Sequence, residues 1–318
     1  MKVRSGLLAL LFAAIPLGAC GAILGIEQLP IDDGLDASPD QEAEASPPAD
    51  AGCEASSRMC GCVPHDFCDD FDVDGEALGA RWKNDLGIPN PFTKADASME
   101  LSNEGLSPPR ALLTRTGDEK SSSFALLSHQ LVYDASYPGR AFAGFRYTAD
   151  IRVEKIVTTE PRGPLREAGS AAAASVLHYE GLVVSGIVLL VVPDGAYLLT
   201  AASILDNNGV DGGNGDLVRL FDGDILELSK SWIRVELLIA EKGRALREGF
   251  PTCAAVADGF VAAAAVGPAG AKQGCLAIPP DVGVAWAAEP VVQAGGLLFA
   301  GGELVLRQDN IAFDFLAP

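Results

Sequence analysis

The sequence predicts an all-β fold, with two antiparallel sheets packed as one sandwich over residues 66–318. Three observations carry that reading. From residue 66 the chain is a succession of short runs separated by Gly, Pro, Asn and Asp, the pattern of strands and turns. Several runs alternate apolar and polar residues with a period of two, and no segment sustains a 3.6-residue period with helix caps. Apolar residues make up 48% of the 318, ample for a sizeable core. About 250 residues of strand pattern suit a single two-sheet body.

The segment before that body reads as an export signal. Lys2 and Arg4 form a positive start, an apolar run follows to Leu17, and then comes Leu17-Gly18-Ala19-Cys20. This resembles the lipobox of bacterial lipoproteins. The resemblance implies a signal peptide at 1–19, cleavage before Cys20, a diacylglycerol thioether on Cys20 and acylation, such as palmitate, of the new amino terminus. Two or three acyl chains give stable anchoring where one does not. The alternative is an uncleaved membrane span over Gly6–Ile26. Either reading places the remaining chain outside the cytoplasm, lipid-anchored in the bacterial envelope on the first. Residues 20–52 are then a tether. They are rich in Asp, Glu, Pro and Ala and lack an apolar period, so they cannot bury enough surface to fold.

Seven cysteines suit an oxidising compartment. With Cys20 lipidated, Cys53, Cys60, Cys62, Cys68, Cys253 and Cys275 remain for three disulfides. Cys253 and Cys275 stand apart from the others and most simply pair together. In the cluster over 53–68 a Cys60–Cys62 bridge is sterically poor. That leaves Cys53–Cys60 with Cys62–Cys68, or Cys53–Cys62 with Cys60–Cys68.

Within the sandwich the candidate strands are 66–72, 98–102, 110–116, 122–133, 141–154, 172–179, 183–192, 195–204, 224–228, 231–240, 252–257, 259–265, 274–278, 281–286, 303–307 and 309–315. In FRYTADIRVEKI, Phe145, Tyr147, Ala149, Ile151 and Val153 fall on one face and charged or polar residues on the other, a strand with one wet side. GIVLLVVP is apolar on both faces, which suits a central strand. The Ala-rich run at 170–174 is the best helical candidate, and it is short.

FCDDFDVDG followed by LGARW, ending at Trp82, resembles the opening of concanavalin A-like lectin/glucanase domains. SPPRALL at 107–113, SWIRVELLI, the run ending VADGF and the closing DNIAFDF resemble further segments of that family in the same order. The resemblance covers most of 66–318. It implies a jelly-roll sandwich with a concave face and adjacent termini, with the first and last strands, 66–72 and 309–315, side by side. It places Trp82 and Trp232 in the core.

That juxtaposition brings carboxylates together. Like charges repel unless a cation lies between them, and calcium takes six to eight oxygens. Similar glucanase domains hold a structural calcium here, so Asp70, Asp72 and Asp309 are its candidate ligands. The loop LDNNGVDGGNGD at 205–216 also offers oxygens but departs from the EF-hand pattern at Val210, and reads as a hairpin loop. Glucanases of this fold carry E-x-D-x-x-E on one strand. The nearest match is Asp222, Asp224 and Glu227, with Asp222 in the nucleophile's place. His65, His129 and His178 are isolated. Aromatics are 7% of the chain, which argues against a broad sugar platform. Trp286, Tyr147 and Tyr179 are the candidate contacts of a narrower site, with Tyr133 and Tyr137 as further aromatics.

With 23 basic and 43 acidic residues the chain repels phosphate backbones, which excludes nucleic acid as a partner. The expectation is a membrane-anchored, extracytoplasmic, lectin-like protein that binds carbohydrate or another surface ligand without catalysis. A glucanase-type glycoside hydrolase with a degenerate catalytic strand and a purely structural envelope lipoprotein are the alternatives.

Overall fold

A computed structural model describes residues 59–73, 75–94, 96–107, 109–118, 123–158, 171–180, 183–201, 216–267, 272–278, 283–299 and 301–318. The signal, the tether, Cys53 and the loop 205–215 lie outside them. The strands are β1 Phe67–Asp69, β2 Phe92–Lys94, β3 Ser98–Ser102, β4 Ala111–Asp118, β5 Ser123–Gln130, β6 Gly144–Thr158, β7 Ala171–Glu180, β8 Val183–Val192, β9 Gly195–Ala201, β10 Leu217–Asp222, β11 Ile233–Glu241, β12 Phe260–Val266, β13 Lys272–Ala277, β14 Val291–Leu298 and β15 Gly302–Phe315. They form two antiparallel sheets. The eight-stranded sheet runs β13-β12-β11-β6-β15-β4-β3 with β1 added beside β15, and the seven-stranded sheet runs β10-β9-β8-β7-β14-β5-β2. This is the all-β two-sheet sandwich that the pattern predicts, with the jelly-roll form that the resemblance implies.

Period-two alternation places the core between the sheets. Tyr147, Ile151 and Val153 of β6, Val235 and Leu237 of β11, and Ile187, Leu189 and Val191 of β8 meet in one buried cluster. β8 is apolar on both faces, as expected of a central strand. Its other face, Val184, Val188 and Leu190, joins Leu177 and Leu199 in a separate cluster outside the sandwich.

The two ends of the folded body do meet. Phe67 lies opposite Phe313, and Asp69 opposite Ile311. His65 Nδ1 lies 2.8 Å from Asp314, and the Phe315 N–H donates to Asp66 at 2.7 Å. The closing segment is one strand, not the two expected. A bulge over Asp309–Ala312, with Asn310 at φ 49°, re-aims its side chains without breaking it.

Several expectations are corrected. Residues 225–228 are a helical turn, because Asp224 caps it by accepting from the N–H groups of Leu226 and Glu227. Residues 251–255 are a 3-10 turn opened by Pro251, and 285–288 another. The Ala-rich run is the start of β7; its small side chains fit the interior between the sheets. The run 122–133 stops at Gln130, and Tyr133 opens a helical turn. β2, β10, β14 and the helix Lys242–Arg247 were not anticipated. Trp82 is buried as expected. Trp232 is not in the core. It lies on the outer side of the eight-stranded sheet, with the Arg152 guanidinium 5.7 Å from its ring centroid.

Among the described residues the disulfides are Cys60–Cys68 and Cys253–Cys275, while a bridge of Cys53 falls outside them. The first rules out the arrangement that joined Cys62 to Cys68. The second is the expected late pair. It ties the 3-10 turn to β13 over a patch of Leu238, Ala245, Phe250 and Val261 on the outer side of the eight-stranded sheet.

Candidate functional site: the outer face of the seven-stranded sheet

The two outer faces of the sandwich differ in kind. That of the eight-stranded sheet is a lattice of matched charges. Arg307 reaches Glu154 at 2.6 Å and Glu104 at 3.1 Å, and Arg152 contacts the same two carboxylates. Arg234 grips buried Asp150 through Nε and Nη2 at 2.8 and 2.7 Å, and Asn310 Nδ2 donates to Asp150 at 2.9 Å. Here most hydrogen-bonding capacity is taken up within the protein.

The face of the seven-stranded sheet is built otherwise. Its floor is the buried cluster of Leu177, Val184, Val188, Leu190 and Leu199. A polar seam crosses β5, β14 and β7 beside that floor, and cross-strand register makes it. Gln293 stands opposite Ser128 on one side and Ser175 on the other. Gln293 Oε1 accepts from the Ser175 hydroxyl at 2.7 Å, and its Nε2 donates to the Tyr179 hydroxyl at 3.1 Å. Burial raises the Tyr179 pKa, so the phenol keeps its proton. Its oxygen is already an acceptor for Gln293, which leaves its O–H to donate elsewhere. Tyr179 is half-buried.

At the β10 edge lies a second polar group. Tyr197 on β9 stands opposite Arg219 on β10, and the Arg219 guanidinium lies 5.4 Å from the Tyr197 ring centroid. Arg219 Nη2 reaches Asp222 at 2.8 Å and the Asp194 carbonyl at 3.1 Å. Tyr197 is half-buried, whereas Asp194 and Asp222 are open to solvent. Tyr179 pairs with Val184 and Tyr197 with Leu190, six residues apart on β8. The two tyrosines therefore mark positions about 20 Å apart along the face.

Of the residues predicted to bind ligand, Tyr179 belongs to this face. Tyr147 does not. It is fully buried between the sheets, because it shares the inward set of β6 with Phe145 and Ala149. Trp286 is half-buried in the 3-10 turn 285–288, where its ring N–H donates to the Gly283 carbonyl at 3.1 Å and its body packs on the inter-sheet core. Its body thus covers an end of the core. Tyr133 is buried among Tyr137, Phe142 and Phe315.

The predicted carboxylate trio is not assembled on one strand. Asp222 ends β10 and pairs with Arg219, Asp224 caps the following turn, and Glu227 on that turn pairs with Lys230. Each histidine is engaged. His65 pairs with Asp314, His129 accepts from the Lys83 N–H at 3.1 Å while stacking on Phe67, and His178 lies 3.0 Å from the Glu289 carbonyl.

The proposed calcium ligands Asp72 and Asp309 accept hydrogen bonds from the protein itself. Asp309 has its oxygens taken by the Leu106, Ser107 and Asn310 N–H groups at 2.8, 2.9 and 2.8 Å, and by the Ser107 hydroxyl. Asp72 accepts from the Arg110 N–H at 2.9 Å. Asp70 keeps one buried oxygen, Oδ2, without a hydrogen-bond partner. Among the described residues no three His, Cys, Asp or Glu side chains converge where one ion could sit.

Tyr197, Arg219 and Gln293 were not singled out from the sequence. Alternation after the Pro193–Gly195 turn puts Tyr197 on the outer face, but only the β9–β10 pairing brings Arg219 to it. Gln293 sits in VVQAGGLL, whose two glycines look like a turn.

No family model matches the chain, and no curated protein matches it. Solved structures do. The alginate lyase vAL-1 from Chlorella virus is 10% identical over 71% of this chain and 93% of its own, with a TM-score of 0.37. The alginate lyase from Klebsiella pneumoniae is 8% identical over 67% of this chain and 84% of its own, with a TM-score of 0.40. The cellulose induced protein Cip1 is 12% identical over 79% of this chain and 97% of its own, with a TM-score of 0.38.

Proposed function

We propose that this chain is a lectin-like recognition module of the bacterial envelope, exported, held to a membrane by lipid on Cys20, and binding carbohydrate without acting on it. The observation that carries the reading is the difference between the two outer faces. One is a dense lattice of ion pairs across several strands. The other leaves two half-buried tyrosines, an arginine and two solvent-open aspartates accessible over a buried apolar cluster and a buried hydroxyl–amide seam. A sugar offers C–H faces to aromatic rings and hydroxyls to such polar groups, so this chemistry suits it. Asp222, Asp224 and Glu227 are dispersed and engaged, which favours binding over hydrolysis. Two disulfides and the Leu17–Cys20 motif support an exported, anchored chain.

A glycan array probed with the detergent-solubilised full chain tests the binding. A set of related glycans should bind, with the signal lost in Tyr197→Ala. No binding, or binding indifferent to Tyr197→Ala, counts against the reading. The anchor is tested by labelling with a palmitate analogue. Incorporation should vanish in Cys20→Ala, and unchanged labelling would exclude lipid on Cys20.

A further inference from the structure

The charges on this face bear on what kind of glycan it takes. Across the seven strands the only Lys or Arg residues are Arg219 on β10 and Lys94 on β2, at opposite edges of the sheet. Arg219 is already matched. Its Nη2 lies 2.8 Å from Asp222 and 3.8 Å from Asp194. Gly195 makes room for this arrangement. A Cβ there would stand 2.6 Å from the Phe221 carbonyl oxygen and 3.4 Å from Arg219 Nη2, crowding both. Asp194 and Asp222 are 82% and 80% exposed, so their free oxygens face solvent beside the Tyr197 ring.

An anionic sugar brought to this edge meets two carboxylates and a cation they already hold. A hydroxyl meets acceptors at the aspartates and donors at Arg219. Of the Tyr179–Gln293–Ser175 seam only Tyr179 is partly open to solvent, and it too offers an uncharged hydroxyl. The formal net charge of −20 adds a repulsive field for any polyanion at low salt.

Resting on the lectin-like reading of the same face, we infer that its ligand is a neutral glycan, with Asp194, Arg219 and Asp222 beside Tyr197 taking sugar hydroxyls and excluding polyuronates.

The experiment is a titration of the full chain in detergent with neutral polysaccharides (laminarin, xylan, galactan and dextran) and with polyuronates (alginate and polygalacturonate). At least one neutral chain should bind, and neither polyuronate. Asp222→Asn, at an exposed position that leaves the core untouched, frees Arg219 from its nearer carboxylate. It should weaken neutral binding and raise polyuronate affinity about threefold, the scale of one exposed ion pair. Polyuronate binding as tight as neutral binding would overturn the inference and leave the lectin-like reading standing. Binding of neither kind would overturn both. Unchanged affinities in Asp222→Asn would remove these residues from the site and overturn their assignment.

Discussion

At the scale of single residues, buried carboxylates brace the segments beside the first and last strands. Asp69 accepts from the Phe71 N–H at 2.9 Å and from the Trp82 indole at 2.7 Å, while burial holds its pKa above the usual carboxylate value. Trp82→Phe keeps the ring volume and leaves one Asp69 oxygen without its donor. That should cost about 1–3 kcal/mol in denaturant unfolding, the penalty of an unsatisfied buried acceptor. An unchanged midpoint would show that water replaces the indole. Asp309 is more strongly perturbed. Burial pushes its carboxyl up to about 7, against the donors from Ser107, Asn310 and Leu106. A carboxyl with a raised folded pKa binds its proton more tightly in the folded state than in the unfolded one. The stability it contributes is complete below the unfolded value, near 4, and is lost as pH rises through about 7. The Tm should therefore fall between about pH 5 and pH 8. Asp309→Asn has no proton to lose, so it should flatten that slope. It should also lower the Tm throughout, because its NH2 confronts backbone N–H groups. Equal slopes in both proteins would exclude Asp309 as the group responsible.

At the scale of elements, local chemistry explains both the successes and the failures of reading the sequence. β6 was legible because its alternation is long and one side is charged. The turn at 225–228 was misread as strand because the apolar Ile225 and Leu226 outweighed the capping power of Asp224. β14 was missed because Gly295 and Gly296 suggest a turn. In fact a Cβ on Gly295 would collide with the Ala125 carbonyl of the neighbouring strand, so glycine is what lets the strands approach. The Cys253–Cys275 bridge was legible because these two cysteines stand apart from the other four, and its role is to hold the 3-10 turn 251–255 on β13. Replacing both cysteines by Ala should cost about 2–4 kcal/mol in reversible unfolding, the usual value for a loop of this size. A loss below about 1 kcal/mol would show that the hydrophobic patch holds the turn without the bond. With the Asp309 oxygens occupied by protein donors, EDTA should leave the Tm unchanged. A fall in EDTA restored by calcium would contradict that assignment.

At the scale of the whole molecule, the two-sheet sandwich was legible from period-two patterning and short turns, whereas the meeting of its ends was only implied by the family resemblance of FCDDFDVDG and DNIAFDF. The binding face was not legible. Its residues come from β5, β7, β9, β10 and β14, and only the order of strands in the sheet brings them together. No local spacing encodes the Tyr197–Arg219 pair or the Gln293 seam. The asymmetry between a charge-matched face and an aromatic, hydroxyl-lined one is likewise a property of the assembled sheets.

The most direct test of recognition at that second face compares two aromatic deletions by isothermal titration with one neutral oligosaccharide. Tyr197→Ala, on the seven-stranded sheet, should weaken binding about tenfold, while Trp232→Ala, on the opposite face, should leave the affinity within about twofold. Loss of binding in Trp232→Ala with full retention in Tyr197→Ala would place recognition on the wrong side of the sandwich and contradict the account.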